Sequence, residues 1–201
     1  MNRRPIAMGI TGASGSAYAL RLLECLVSAG EEIQLMISQA GQIVLKMESE
    51  LDLPSQPLEA ERLLTRHFNA APGQLRVFGR QQWMAPVASG SNPPRAMVVC
   101  PCTTGTLSSI ACGASNDLLE RAADVALKER CKLILVVRET PFSEIHLENM
   151  LKLARMGAVI MPANPGFYHK PEKLQDIVDF MVARILDRLE VAHNLLPRWG
   201  E

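Results

Sequence analysis

The 201-residue chain carries no excess of either charge, 21 Lys and Arg standing against 21 Asp and Glu. No global field therefore draws it to nucleic acid or to an anionic membrane. It lacks any apolar run approaching the roughly 18 uninterrupted residues of a membrane span, and its start lacks the charged-then-apolar layout of a secretory signal. The expected location is the cytoplasm. Five cysteines, Cys25, Cys100, Cys102, Cys112 and Cys131, form an odd and scattered set, which speaks for reduced thiols rather than a disulfide framework. Cys100-Pro101-Cys102 has neither the C-x-x-C spacing nor the second ligand pair of a metal or redox site. The four histidines, His67, His146, His169 and His193, show no ligand spacing, so no metal is expected. There is no internal repeat and no low-complexity tract.

What is present is a regular alternation of two periodicities. With 48% hydrophobic residues the chain can bury a sizeable core, and its length favours one domain. Short apolar runs at 6–10, 33–37, 75–78, 96–100, 133–137 and 158–161 predict strands. Helices are predicted at 17–28, 40–46, 59–68, 105–111, 117–129, 143–156 and 172–191. The stretch 86–95, with three prolines, reads as a loop rather than a domain linker. Strands of continuous Val, Ile and Leu separated by helices imply a parallel sheet covered on both faces, with ligands outside the carboxyl ends of its strands.

That rule selects the candidate residues. Gly9-Ile-Thr-Gly-Ala-Ser-Gly-Ser16 follows the first strand in a G-x-x-G-x-x-G spacing. Its glycines suit positive φ or close backbone approach, and Ser14, Ser16 and the first free amides of the helix from about Ala17 are expected to donate to an anion. Ser38, the stretch Pro101-Cys-Thr-Thr-Gly-Thr106, Arg138-Glu139-Thr140-Pro141 and Pro162-Ala-Asn-Pro-Gly-Phe-Tyr168 follow the other strands and should converge with it on one crevice. Arg121 and Lys128, seven residues apart, share a helix face. In the last helix Leu174, Ile177, Val178, Met181, Val182, Ile185 and Leu189 form the core stripe. Arg184 lies at its edge, where it can bury its stem and deliver its guanidinium to a pocket rim, or simply reach solvent.

Four segments, Gly9–Ser16, Arg121-Ala-Ala-Asp-Val-Ala-Leu-Lys-Glu-Arg130, Val137-Arg-Glu-Thr-Pro-Phe142 and Gly157-Ala-Val-Ile-Met-Pro-Ala-Asn-Pro-Gly-Phe-Tyr-His-Lys-Pro171, together resemble the UbiX-type flavin prenyltransferases. They span nearly the whole chain in order. The resemblance implies a three-layer, flavodoxin-like Rossmann-type α/β fold, assembling as a homo-dodecamer. It implies transfer of a dimethylallyl group from dimethylallyl phosphate to N5 and C6 of reduced FMN without a metal, giving prenylated FMN for a UbiD-type decarboxylase. It assigns Gly12, Ala13, Ser14, Ser38, Thr103, Thr104, Gly105, Thr106 and Arg138 to FMN, and Arg121, Lys128, Tyr168 and Arg184 to the prenyl phosphate. Glu139 would handle protons, Glu48 and Ser14 would assist near N5, Trp83 would wall the allylic cation, and Trp199 would close the site from a tail beginning at about residue 192. Bland alternatives stand beside these: Trp83 as a core aromatic, Glu48 as part of a solvated acidic helix end, and Trp199 as an exposed terminal residue. Other functions open on the same fold are an FMN-dependent decarboxylase and a non-catalytic FMN carrier. The histidine base and P-x-M-N-type loop of the flavin-dependent cysteine decarboxylases have no counterpart after Pro162, where Pro-Ala-Asn-Pro stands.

Overall fold

The computed structural model describes residues 4–196. Six strands, β1 (Ile6–Ile10), β2 (Ile33–Ile37), β3 (Leu75–Phe78), β4 (Ala96–Cys102), β5 (Lys132–Val137) and β6 (Val159–Pro162), form one sheet in the order β3-β2-β1-β4-β5-β6. Every pairing is parallel. The seven helices among the described residues are α1 (Ser16–Ser28), α2 (Gln39–Glu48), α3 (Pro57–His67), α4 (Thr104–Ala111), α5 (Leu118–Lys128), α6 (Glu144–Arg155) and α7 (Leu174–Leu189).

The apolar strand runs are explained by burial on both faces. Alternate residues of β1 divide between two cores. Ile6, Met8 and Ile10 pack with α1, α3 and α7, while Ala7 packs with α4, α5 and α6. Gly9 faces α5 so closely that a Cβ there would lie 2.9 Å from the Leu119 side chain. All seven residues of β4 are buried. In α7, Val178, Met181, Val182, Ile185 and Leu189 are buried as expected, but Ile177 is only partly buried and Leu174, the first residue of the helix, is 74% exposed.

The chain builds the sheet outward through β1, β2 and β3, then returns to lay β4 on the other side of β1. The loops leaving β1 and β4 therefore diverge toward opposite faces, which opens a crevice between their carboxyl ends. The expected element order matches: β1, β2 and β3 have the expected bounds, and the other boundaries are displaced by at most two residues. Within 86–95 the chain also makes a single 3-10 turn at Pro86–Ala88. No described helix is long and apolar enough to cross a membrane.

Candidate functional site at the carboxyl edge of the sheet

The crevice is stitched by its own backbone. Buried Thr11 donates through Oγ1 to the Pro101 carbonyl at 2.7 Å and accepts the Thr103 amide at 2.9 Å, so its hydroxyl joins β1 to β4 rather than facing a ligand. On either side a helix opens with a hydroxyl cap. Ser38 Oγ accepts the Gly41 amide at 3.0 Å at the start of α2. Thr103 Oγ1 accepts the Thr106 amide at 3.1 Å and donates to Thr106 Oγ1 at 2.9 Å at the start of α4. Such caps satisfy one orphan amide each and leave the remaining amides of the first turn aimed at the crevice.

The glycines serve different needs. Of Gly9, Gly12 and Gly15, Gly15 alone has a positive φ, 119°. Gly12 has none; a Cβ there would stand 2.4 Å from Ala40 Cβ and 3.1 Å from its carbonyl carbon, so the residue is required by the approach of α2. Gly105 is exposed, and a Cβ there would have only Thr103 Oγ1 within 4 Å, at 3.9 Å.

The start of α1 differs from the expectation. Glu48, at the end of α2, accepts the Gly15 and Ser16 amides through Oε2 at 2.9 and 2.8 Å, so these two amides already hold an internal anion. Burial pushes the Glu48 pKa up, and hydrogen bonds from Ser14, Gly15 and Ser16 outweigh it, holding the carboxyl below its ordinary range. The same loop turns the Ser14 carbonyl to Arg138, whose Nε donates to it at 3.0 Å. Glu139 Oε2 accepts from Thr104 Oγ1 at 3.4 Å, and its Oε1 accepts the Thr140 amide at 3.1 Å. The loops after β1, β4 and β5 thus meet, and bring Ser14, Glu48, Thr103, Thr104, Arg138 and Glu139 into one connected group.

The remaining candidates lie elsewhere in the chain. The loop 79–95 runs along α5: the Leu118 amide donates to the Arg80 carbonyl at 2.9 Å and Arg121 Nε to the Ala88 carbonyl at 3.1 Å. Arg121 also pairs with Asp124 at 2.6 Å, and Lys128 with Glu129. Gly90 lies against that last pair, where a Cβ would displace the charged ends of both side chains. Sequence reasoning marks the Ser89-Gly90-Ser91 turn only as loop; its small residues between prolines are the signal that singles it out. Trp83, in the same loop, is 43% exposed and donates to Gln81 Oε1 at 3.0 Å, so it is not a core aromatic.

Tyr168 and Arg184 line a cleft of about 880 Å³ with Phe180, Asp187 and His193. Arg184 pairs with Asp187 at 2.9 Å. The end of α7 is tied to the amino edge of the sheet, where Arg95 donates to the Leu189 carbonyl and Lys132 to the Arg188 carbonyl, each at 2.8 Å. Lys128 also lies at that edge, four residues before β5 begins. Glu139 follows the other end of β5, and six strand residues span about 20 Å. Within one chain, then, Lys128 is not brought to Glu139. Trp199 lies outside the described residues.

Cys100 and Cys102 are fully buried, and burial pushes both thiols up, Cys102 to about 12. They are protonated core residues, unsuited to nucleophilic or ligand roles.

The Flavoprotein family profile matches residues 1–186. The flavin prenyltransferase UbiX of Pseudomonas aeruginosa is 59% identical over 196 residues, covering 98% of this chain and 94% of its own. Among solved structures, AnUbiX (PadA1) in complex with FMN and dimethylallyl pyrophosphate superposes with a TM-score of 0.87 at 38% identity, covering 100% of this chain and 99% of its own. A dodecameric FMN-dependent UbiX-like decarboxylase from Escherichia coli O157:H7 gives 0.86 at 36% identity, covering 98% of this chain and 100% of its own. The chain belongs to the UbiX flavin prenyltransferase family.

Proposed function

We propose that this chain transfers a dimethylallyl group from dimethylallyl phosphate to reduced FMN, at N5 and C6, and that the prenylated FMN passes to a UbiD-type decarboxylase. The observation that carries the reading is the connected group at the crevice, where Glu139 and Arg138 meet the Ser14 and Thr104 loops. The relative solved with FMN and dimethylallyl pyrophosphate supports the choice of ligands.

The residues suit the flavin. Two hydroxyl-capped helix starts flank the crevice, and exposed Gly105 leaves room beside α4. Gly12, Ala13, Ser14, Ser38, Thr103, Thr104, Gly105, Thr106 and Arg138 would hold FMN through backbone amides, hydroxyls and one guanidinium. Bound reduced FMN supplies the nucleophilic nitrogen and carbon. Glu139 handles the proton required for phosphate departure, while Glu48 fixes the Ser14 loop and assists beside N5. Arg121, Lys128, Tyr168 and Arg184 neutralise the phosphate, and Trp83 offers a π face to the allylic cation. Trp199 closes the site from the tail beginning near residue 192.

These groups are separated within one chain, so the reading requires a homo-oligomer, for which the dodecameric relative is the precedent. It treats residues 1–201 as one catalytic domain. It places the protein in the cytoplasm, in keeping with five free cysteines among the described residues.

The test is anaerobic incubation with reduced FMN and either dimethylallyl phosphate or pyrophosphate, followed by addition of the product to a UbiD-type decarboxylase lacking its cofactor. Activation by the phosphate reaction supports the assignment, and activation only by the pyrophosphate reaction replaces the donor. The decarboxylase reading, favoured by the name of the E. coli relative, instead requires this chain with FMN alone to release carbon dioxide from an aromatic acid.

A further inference from the structure

The 880 Å³ cleft contains a hydrogen-bonded chain of which the proposed reaction uses only Arg184. Asp187 faces two ways: Oδ2 accepts from Arg184 Nη1 at 2.9 Å, and Oδ1 lies 3.1 Å from His193 Nε2. On the far side of the imidazole the Leu195 amide lies 3.4 Å from Nδ1. An amide N–H only donates, so Nδ1 accepts, and the neutral ring carries its proton on Nε2 and donates it to Asp187. The chain therefore runs without interruption from the backbone of the C-terminal segment to a guanidinium on α7.

Burial shows which end is the anchor. The His193 side chain is 15% exposed, whereas Asp187 and Arg184 are 49% and 52% exposed. A lone exposed i,i+3 pair fixes geometry poorly, because both side chains surrender rotamer freedom for a screened attraction. Here the carboxylate is already held through its second oxygen by a nearly buried ring, so only the arginine remains to be ordered.

We infer that Asp187 is a positioning residue for use of the prenyl phosphate and that His193 anchors it, the two together aiming Arg184 and tying it to residues 193–195. The inference rests on the reading of Arg184 as a phosphate ligand. An arginine whose fork is held in advance loses less freedom when it binds an anion. The negative charge of Asp187 opposes the phosphate, but both groups stand half in water, where that repulsion is screened.

The experiment measures prenyl transfer in the full-length oligomer at saturating reduced FMN and varied dimethylallyl phosphate. Asp187→Ala is expected to raise KM about five- to tenfold while kcat stays within about twofold and FMN affinity is unchanged. His193→Ala should shift KM in the same direction, and His193→Gln, which keeps a donor for Asp187, should restore most of it. Since Asp187 acts through Arg184, Asp187→Ala combined with Arg184→Ala should be no worse than Arg184→Ala alone. An unchanged or lowered KM in Asp187→Ala while Arg184→Ala raises it, or additive effects in the double variant, would overturn the positioning role. An unchanged KM in Arg184→Ala would remove the phosphate reading of Arg184 and the inference with it.

Discussion

The crevice at the carboxyl edge and the cationic surfaces of α5 and α7 are built on different physical terms. At the crevice, short side chains and backbone groups bond one another across three loops, as in Thr11 with Pro101 and Thr103, Ser14 with Arg138, and Thr104 with Glu139. Their positions are fixed by the strand ends, and little freedom remains to be lost on binding. On the helices, long side chains reach outward and pair with acids one or three residues away: Arg121 with Asp124, Lys128 with Glu129, Arg184 with Asp187. Those pairs are half-exposed and weakly held. A planar ligand thus meets preset groups at the crevice, whereas under the proposed function the cations of the helices must still be ordered around the phosphate, Lys128 from a neighbouring chain.

The sharpest way to break this comparison is to remove a proton from the crevice without changing its shape. Glu139→Gln keeps the size of the side chain, and should retain FMN while losing roughly 10²–10⁴-fold in single-turnover transfer, the span of a positioned acid. A wild-type rate would remove Glu139 from the chemistry. On the helices the expected defect is of another kind. Arg184→Ala should retain FMN and weaken use of dimethylallyl phosphate by about 1.5–3 kcal/mol, the range of a charge-assisted contact, read from KM in the same assay. Equal loss of FMN would show that the two regions are not separable.

Two glycines sharpen the contrast between structural and ligand-facing positions. Gly12→Ala drives a Cβ into Ala40 and should destabilise the protein by about 1–3 kcal/mol, as overpacking does. Any loss of flavin in that variant must therefore be read against its melting temperature. Gly105→Ala meets open space at the first turn of α4. It should keep or slightly raise the melting temperature, by up to about 1 kcal/mol of stability, so a fall in FMN affinity measured by fluorescence would report on the crevice itself.

The smallest expected effect belongs to Glu48. Its carboxyl is held below the ordinary range in the folded protein. The unfolded chain therefore binds the proton more tightly, and the stability Glu48 contributes is present above a pH of about 4.5 and lost as pH falls through the lower folded value. Glu48→Gln should lower the melting temperature at neutral pH, and the gap to wild type should narrow in acid. A gap that is constant with pH would mean that the carboxylate charge contributes nothing to the α1 start.

Much of this is legible in the chain. Continuous Val, Ile and Leu strands and amphipathic helices point to the parallel α/β sheet, because strands buried on both faces read as apolar runs too short for helices and bounded by turn residues. Position after a strand finds Ser14, Thr103, Thr104, Arg138 and Glu139 for the same reason. Contacts distant in sequence are less legible. Glu48 reaches the α1 amides across 32 and 33 residues, so no local pattern could show that the first anion in the glycine loop is the protein's own. Gly12 reads in sequence as a source of backbone freedom, but its role follows from Ala40, on another element. Asp187 stands within reach: its spacing of three from Arg184 is the ordinary signal of a helical ion pair. His193 carries no such signal, since only the fold brings the segment after α7 back onto it.

The central claim is that the two regions together make a catalyst rather than a flavin carrier. It is tested most directly by mass spectrometry of flavin extracted after anaerobic incubation of the purified oligomer with reduced FMN and dimethylallyl phosphate. The account predicts a flavin heavier by one dimethylallyl unit, formed by the wild-type protein and strongly diminished with Glu139→Gln. Recovery of unmodified FMN alone from the wild-type protein, with flavin bound throughout, would contradict it.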